Sequence, residues 1–318
     1  MKPFALSICF LLLAGLVTAQ TNAGSRVGAT PRELPIAKAA FATLKLPGSP
    51  DFLAPDGDDV WILNIDRVEK LSVKSDKPVL SVTIPGACGA LIVGFHSVWV
   101  ASCGTQSIYR VDKESGKLLS IIPCPISDRN GEIMLAAGAG SIWVLSDRAG
   151  VLTRIDPRKN AIQTTIAVEP DSHCAVFDFG AVWITNTAGN SVQRIDPGTN
   201  RVVATIPVGK TPRFLAAGEK GVWTLNQGDG TVSHIDPGQN KVVAVVDAKV
   251  PGSGGDIAAG AGCVWVRAKG RLLETINPVS NAVQTIYTPV AGSGAVRVTA
   301  HFIWVTAHDI NTIWILKR

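Results

Sequence analysis

Short apolar runs, each centred on one tryptophan, recur along the chain. They read VWI, VWV, IWV, VWI, VWT, VWV and IWV around Trp61, Trp99, Trp143, Trp183, Trp223, Trp265 and Trp304. The intervals are 38, 44, 40, 40, 42 and 39 residues. Within each run apolar positions do not alternate with polar ones, so both faces of the strand are expected to be covered. Around each run lie further strand-length segments. In one unit they are RFLAAG, GVWTLN, TVSHID and KVVAVV (213–246), separated by EK, QGDG and PGQN. Val, Ile and Thr fill the segments, while Gly, Pro, Asn and Asp bound them. A period of 40–45 residues with four strands per unit is that of a propeller blade, a sheet that buries its faces only by stacking on its neighbours.

Seven tryptophans predict seven blades, and the chain ends test the count. The last unit has the segments VRVTA, FIWVTA and TIWILKR and stops one strand short. Near the start, FATLKLPGSPDFLAP (41–55) aligns with VVATIPVGKTPRFLAA (202–217), which makes Ala42–Leu46 an outer strand with no inner strands before it. Lending that strand to the seventh unit closes the ring and removes its free edges. The predicted fold is therefore all-β: a seven-bladed propeller of four-stranded antiparallel blades over residues 41–318, with 20–40 as a flexible lead-in. An Asp stands thirteen residues after four of the tryptophans (Asp112, Asp156, Asp196 and Asp236), at the turn between the third and fourth strands. Its recurrence reads as turn formation.

Composition adds a compartment. The opening MKPFALSICFLLLAGLVTAQ has a basic n-region, an apolar stretch too short for a bilayer, and Val17-Thr18-Ala19 before Gln20. Residues 1–19 are predicted to be a cleaved signal peptide, which puts the protein outside the cytoplasm without a membrane anchor. The formal charge of +5 is dispersed over the chain. Nucleic-acid binding, which wants a clustered basic stripe, is not expected. A monomer is expected, with no appended catalytic domain.

The refrain AVWITN, SVQRIDPGTN, RVVATIPVGKTP resembles the YVTN-type (YncE-like) β-propeller repeat proteins, most clearly over residues 99–290. That resemblance implies a secreted or periplasmic propeller with a binding role. The wider group includes the streptogramin (virginiamycin B) lyases, and this likeness implies an alternative: a lyase or hydrolase with a His and a carboxylate-held divalent metal such as magnesium on one face. No Glu-x-His pairing of that kind stands at a blade end here. Without that alternative, no cofactor is expected.

Strand order assigns residues to rims. The connections into first strands and the second-to-third turns share one rim; the other turns share the opposite one. In the second unit the first hairpin is centred between Phe95 and His96, which sets Cys88 opposite Cys103. An extracytoplasmic chain favours their oxidation, and a disulfide is predicted. Cys124, Cys174 and Cys263 cannot all pair. The same registration sets Asp256 opposite Arg267, Arg213 opposite Asn226, His173 opposite Asn186, and Arg297 opposite Trp304. Other units carry Ile92, Ala136, Val176, Ala216 and Ala258 where Arg297 stands. An Arg on the innermost strand either stacks on Trp304 or points into the axial channel toward an anion. Asp256 is the expected structural partner of Arg267. His308 and Asp309 form a further rim pair, usable as a base or ligand or simply as a loop contact. His173 and His308 lie almost across the ring from one another, and a shared metal is not expected. A ligand (a small polar or anionic molecule, a glycan or a protein) is expected at this rim, over the fourth to seventh units.

Overall fold

The computed structural model of the chain describes residues 30–128, 132 and 134–318. The expected signal peptide and residues 20–29 lie outside them. Seven sheets carry the repeat, each running from an inner strand A to an outer strand D. Blade 4 is typical: A is Ser172–Asp178, B Ala181–Asn186, C Ser191–Asp196 and D Arg201–Pro207, all antiparallel. Its B strand is buried throughout, whereas D alternates exposed and covered positions. The absence of alternation around each tryptophan thus has its cause in coverage by two neighbouring blades.

Blade 7 closes as the sequence predicts. Ala40–Lys45 runs antiparallel to Thr312–Lys317, with Thr43 opposite Trp314 and Leu44 opposite Ile313. The lead-in differs from expectation. Arg32–Pro35 adds a fifth, parallel strand to the outer edge of blade 6, with Leu34 opposite Tyr287. Ile36 follows it into a core cluster with Leu272, Tyr287 and Trp314, so the segment is attached by strand pairing and by one buried side chain. Its residues match no repeat unit, and for that reason sequence periodicity does not reveal their role.

Six of the seven B-strand tryptophans are fixed by their one polar atom; in blade 1 the buried Trp61 Nε1 meets no acceptor among the described residues. The indole Nε1 of Trp99, Trp143, Trp183, Trp223 and Trp265 donates to the carbonyl five residues earlier, at 2.9–3.1 Å. A buried indole N–H needs such an acceptor. Trp304 donates instead to Asp58 O of blade 1, at 3.1 Å, tying the last blade to the first.

A second device links consecutive blades. Arg154, in strand C of blade 3, lies 4.6 Å over the Trp143 ring and donates from Nη1 to Pro197 O and Asn200 Oδ1 in the C–D turn of blade 4. Arg110 and Arg194 repeat this on Asn160 and Asn240. In blade 5, His234 stacks on Trp223 and its Nδ1 meets Asn281 Oδ1 at 2.9 Å. The four asparagines hold φ of 52–56°, a left-handed conformation that Asn tolerates well. The turn aspartates cap backbone N–H groups two residues on, at 2.8–3.2 Å. The refrain IDPxxN is therefore a turn built to receive the neighbour's cation.

Cys88 and Cys103 form a disulfide with Cα atoms 5.7 Å apart. The register shifts between Ala87 and Leu91, so the two meet beside a bulge and not in an unbroken ladder. Cys124, Cys174 and Cys263 are free thiols. Among the described residues no helix is long and apolar enough to cross a membrane.

Candidate functional site

The A strands surround an axial cavity of about 250 Å³, with lining residues from all seven blades. At the first-rim end of that channel the blades depart most from their shared pattern. Two bulges cause much of this. Register shifts in blade 4 between Ser172 and Ala175, and in blade 5 between Pro212 and Phe214, release His173 and Arg213 from the ladder. The expected oppositions fail for that reason: Asn186 faces Ser172, and Asn226 faces Pro212. Freed in this way, both side chains turn to Glu132. Arg213 donates to Glu132 Oε2 from Nε at 2.8 Å and from Nη2 at 2.6 Å. His173 Nε2 lies 3.3 Å from the same oxygen, while its Nδ1 faces Asp128 Oδ2 at 3.5 Å.

Glu132 and Asp128 belong to the connection from strand D of blade 2 (Leu118–Pro123) to strand A of blade 3 (Leu135–Gly138). Burial works to raise the Glu132 pKa. The hydrogen bond to His173 and the Arg213 guanidinium outweigh it, leaving the carboxyl below its ordinary range. The cluster borders a hollow of about 390 Å³ that is also lined by Arg148 and Asp171.

A second pair sits on blades 6 and 7. Asp256 does lie opposite Arg267 in register, but its carboxylate turns away to Arg297 and to Val296 N. Asp256 is fully buried, and burial pushes it up to about 6 against the opposing pull of Arg297. Arg267 is fully buried too, yet it has no carboxylate in hydrogen-bond contact. Its guanidinium donates to four carbonyls: Thr306, Ala268, Arg271 and Gly292. The expected Asp256–Arg267 partnership is thus replaced by Asp256–Arg297, because the longer reach of Arg267 finds enough backbone acceptors around it. Arg297 is opposite Trp304 as expected, and it lines the axial cavity.

The remaining candidates separate. His308 Nδ1 lies 3.4 Å from Asp51 Oδ2, and that carboxylate raises the His308 pKa against the effect of partial burial. Asp309 accepts from Gly292 N at 3.0 Å, fixing the loop that also receives Arg267. Asn226 is a buried strut, bonded to Thr231, Ser233 and Thr224. His173 and His308 do not meet: each has its own carboxylates.

Pattern reading passes over Asp51 and Asp128, and it places Glu132 at the rim only as a charge with no special spacing. One signal bore on the last two. The interval of 44 residues between Trp99 and Trp143 is the longest of the six, and the connection holding Asp128 and Glu132 falls within it.

A divalent cation does not fit this cluster. The Arg213 guanidinium holds the Glu132 oxygen that such an ion would need, at 2.6 Å. Among the described residues no group of three or more His, Cys, Asp or Glu is placed to hold a metal.

The fold is similar to those of several solved structures. A streptogramin B lyase and the virginiamycin B lyase of Staphylococcus aureus each superpose with a TM-score of 0.74 at 16% identity, over 87% of this chain and 97% and 98% of theirs. BamB of Moraxella catarrhalis follows with 0.63 at 11% identity, over 84% of each chain. These likenesses show the propeller fold alone. No protein-family model and no curated protein matches the sequence.

Proposed function

We propose that this chain is an extracytoplasmic binding propeller of the YVTN kind, which takes a small polar or anionic molecule at the first-rim mouth of its channel. One observation carries the reading. His173, Glu132, Asp128 and Arg213 converge at that mouth with Arg297 and Asp256 beside them, whereas the opposite rim repeats turn-forming aspartates. Charges that leave a repeat pattern, at the concave end of a ring, suit ligand orientation better than structural support. The disulfide and the expected signal peptide support a place outside the cytoplasm. The lyase alternative lacks an observation of its own, since the carboxylate it would need is already taken by Arg213.

The test is a thermal-shift screen of small anions and sugars, because a ligand of the native state raises its stability by mass action. Arg213→Ala is expected to abolish the shift of any hit. Its unliganded Tm should fall but the fold should persist, since His173 remains beside Glu132 as a partner. A variant that melts far below the parent yet still responds to the hit would overturn the reading.

A further inference from the structure

The channel below the mouth has a composition that does not follow from holding the ring together. Its wall is apolar apart from one side chain, Arg297. At the level of Arg297 the other six blades present Ala54, Ile92, Ala136, Val176, Ala216 and Ala258, each opposite its own tryptophan. A guanidinium in such surroundings is costly unless its charge and its donors are used. The Asp256 carboxylate is held rigidly beside it by Val296 N at 3.0 Å and by Ile257 N at 2.8 Å. That pairing employs Nη1 of Arg297, which also meets Val296 O. Among the described residues no acceptor meets Nε or Nη2. That Nε–Nη2 edge is the fork that takes a carboxylate through two parallel bonds.

Arg267 gives its own hydrogen bonds to carbonyls and interacts at longer range with Asp309, Asp51 and Asp256, so it leaves the Asp256–Arg297 pair in place. The open Nε–Nη2 fork sets one limit on a ligand, which must bring an anionic acceptor. Size sets the other limit. A cavity of about 150 Å³ accommodates benzene, so about 250 Å³ has room for a chain or ring somewhat larger.

We propose that the axial channel binds a small amphiphilic carboxylate, with its head on Arg297 and its apolar tail along the A-strand wall. This rests on the binding reading above and adds the chemical class of ligand. The experiment is calorimetric titration of the purified protein with sodium n-alkanoates from butanoate to decanoate, with octan-1-ol as control. Saturable binding is expected, tightening about fourfold per methylene (~0.8 kcal/mol) until the cavity is filled. Octanol should bind at least about tenfold more weakly than octanoate, since it forgoes the charge-assisted pair.

Asp256→Asn combined with Arg297→Gln removes both charges together, so neither is left buried alone, and it should cost octanoate at least about tenfold. Ala216→Leu narrows the wall but keeps Arg297; it should reject octanoate and still accept butanoate. Octanoate binding that the double variant leaves unchanged, or that octanol matches, would overturn the proposal. So would the absence of any alkanoate binding. In that last case an Arg213-dependent hit from the thermal screen would leave the mouth reading intact, so the two failures are separable.

Discussion

Glu274 is the residue whose surroundings suit its charge least. It lies in strand C of blade 6 (Arg271–Asn277), fully buried, and both carboxylate oxygens lack a hydrogen-bond partner. Arg271 Nε approaches only to 3.8 Å. Burial pushes the Glu274 pKa from 4.5 up to about 7. The folded chain therefore binds this proton more tightly than the unfolded chain, and stability falls as pH rises through that window. The penalty above it is on the order of 3 kcal/mol. Glu274→Gln is expected to match the parent at acid pH and to exceed it at mildly alkaline pH, as read by urea midpoints across the window. A parent–variant difference that does not change with pH would refute the assignment. Arg267 represents the opposite case: a buried charge whose donors are satisfied by four carbonyls. Arg267→Met is expected to destabilise by about 3–5 kcal/mol, because those acceptors are left buried and unpaired.

At the level of strands and turns, the link between blades depends on a few atoms. Arg154 joins its own tryptophan to the next blade's Asn200 and Pro197. Arg154→Ala should cost about 2–4 kcal/mol, from a shielded cation–π contact and two charge-assisted bonds. Asn200→Ala removes one acceptor of the same link, so the double variant should lose less than the two single losses combined. Additive losses would mean that the clasp is not a unit. The two halves of this device differ in how readable they are. IDPxxN announces a turn, because its Asp, Pro and Asn act on their own backbone within five residues. The clasp joins Arg154 to Asn200, 46 residues away, and only the ring geometry reveals it. The site follows the same division. Arg297 was legible because it breaks an apolar position repeated in six blades. The Glu132–Arg213 contact was not, since it spans 81 residues and depends on bulges at His173 and Arg213 that alternation alone does not encode. The Cys88–Cys103 bridge could be read from hairpin symmetry despite its bulge, because both partners belong to one hairpin.

For the ring as a whole, the question is what holds the seam. Basic or histidine clasps run from blade 2 to blade 6, and Lys70 of blade 1 reaches Glu114 of blade 2 at 3.6 Å. Opposite their tryptophans, blades 6 and 7 carry Thr275 and Ile315, which cannot clasp. The N-terminal segment works where the clasp is missing. Arg32–Pro35 extends blade 6, Ile36 packs between blades 6 and 7, and Ala40–Lys45 completes blade 7. Trp304 Nε1 and His301, bonded to Asp58 O and Asp58 Oδ2, then bind blade 7 to blade 1. If the closing strand supplies what the clasps do not, its loss should differ in kind from the loss of any one clasp. A chain beginning at residue 46 exposes the edge of Thr312–Lys317 along with Ile313 and Trp314. It should unfold at a lower urea concentration and self-associate through that edge, as read by light scattering. Arg154→Ala should lower stability yet stay monomeric, because no strand edge is uncovered. A truncated chain that remains monomeric with an unchanged urea midpoint would show that the ring closes without its seventh outer strand.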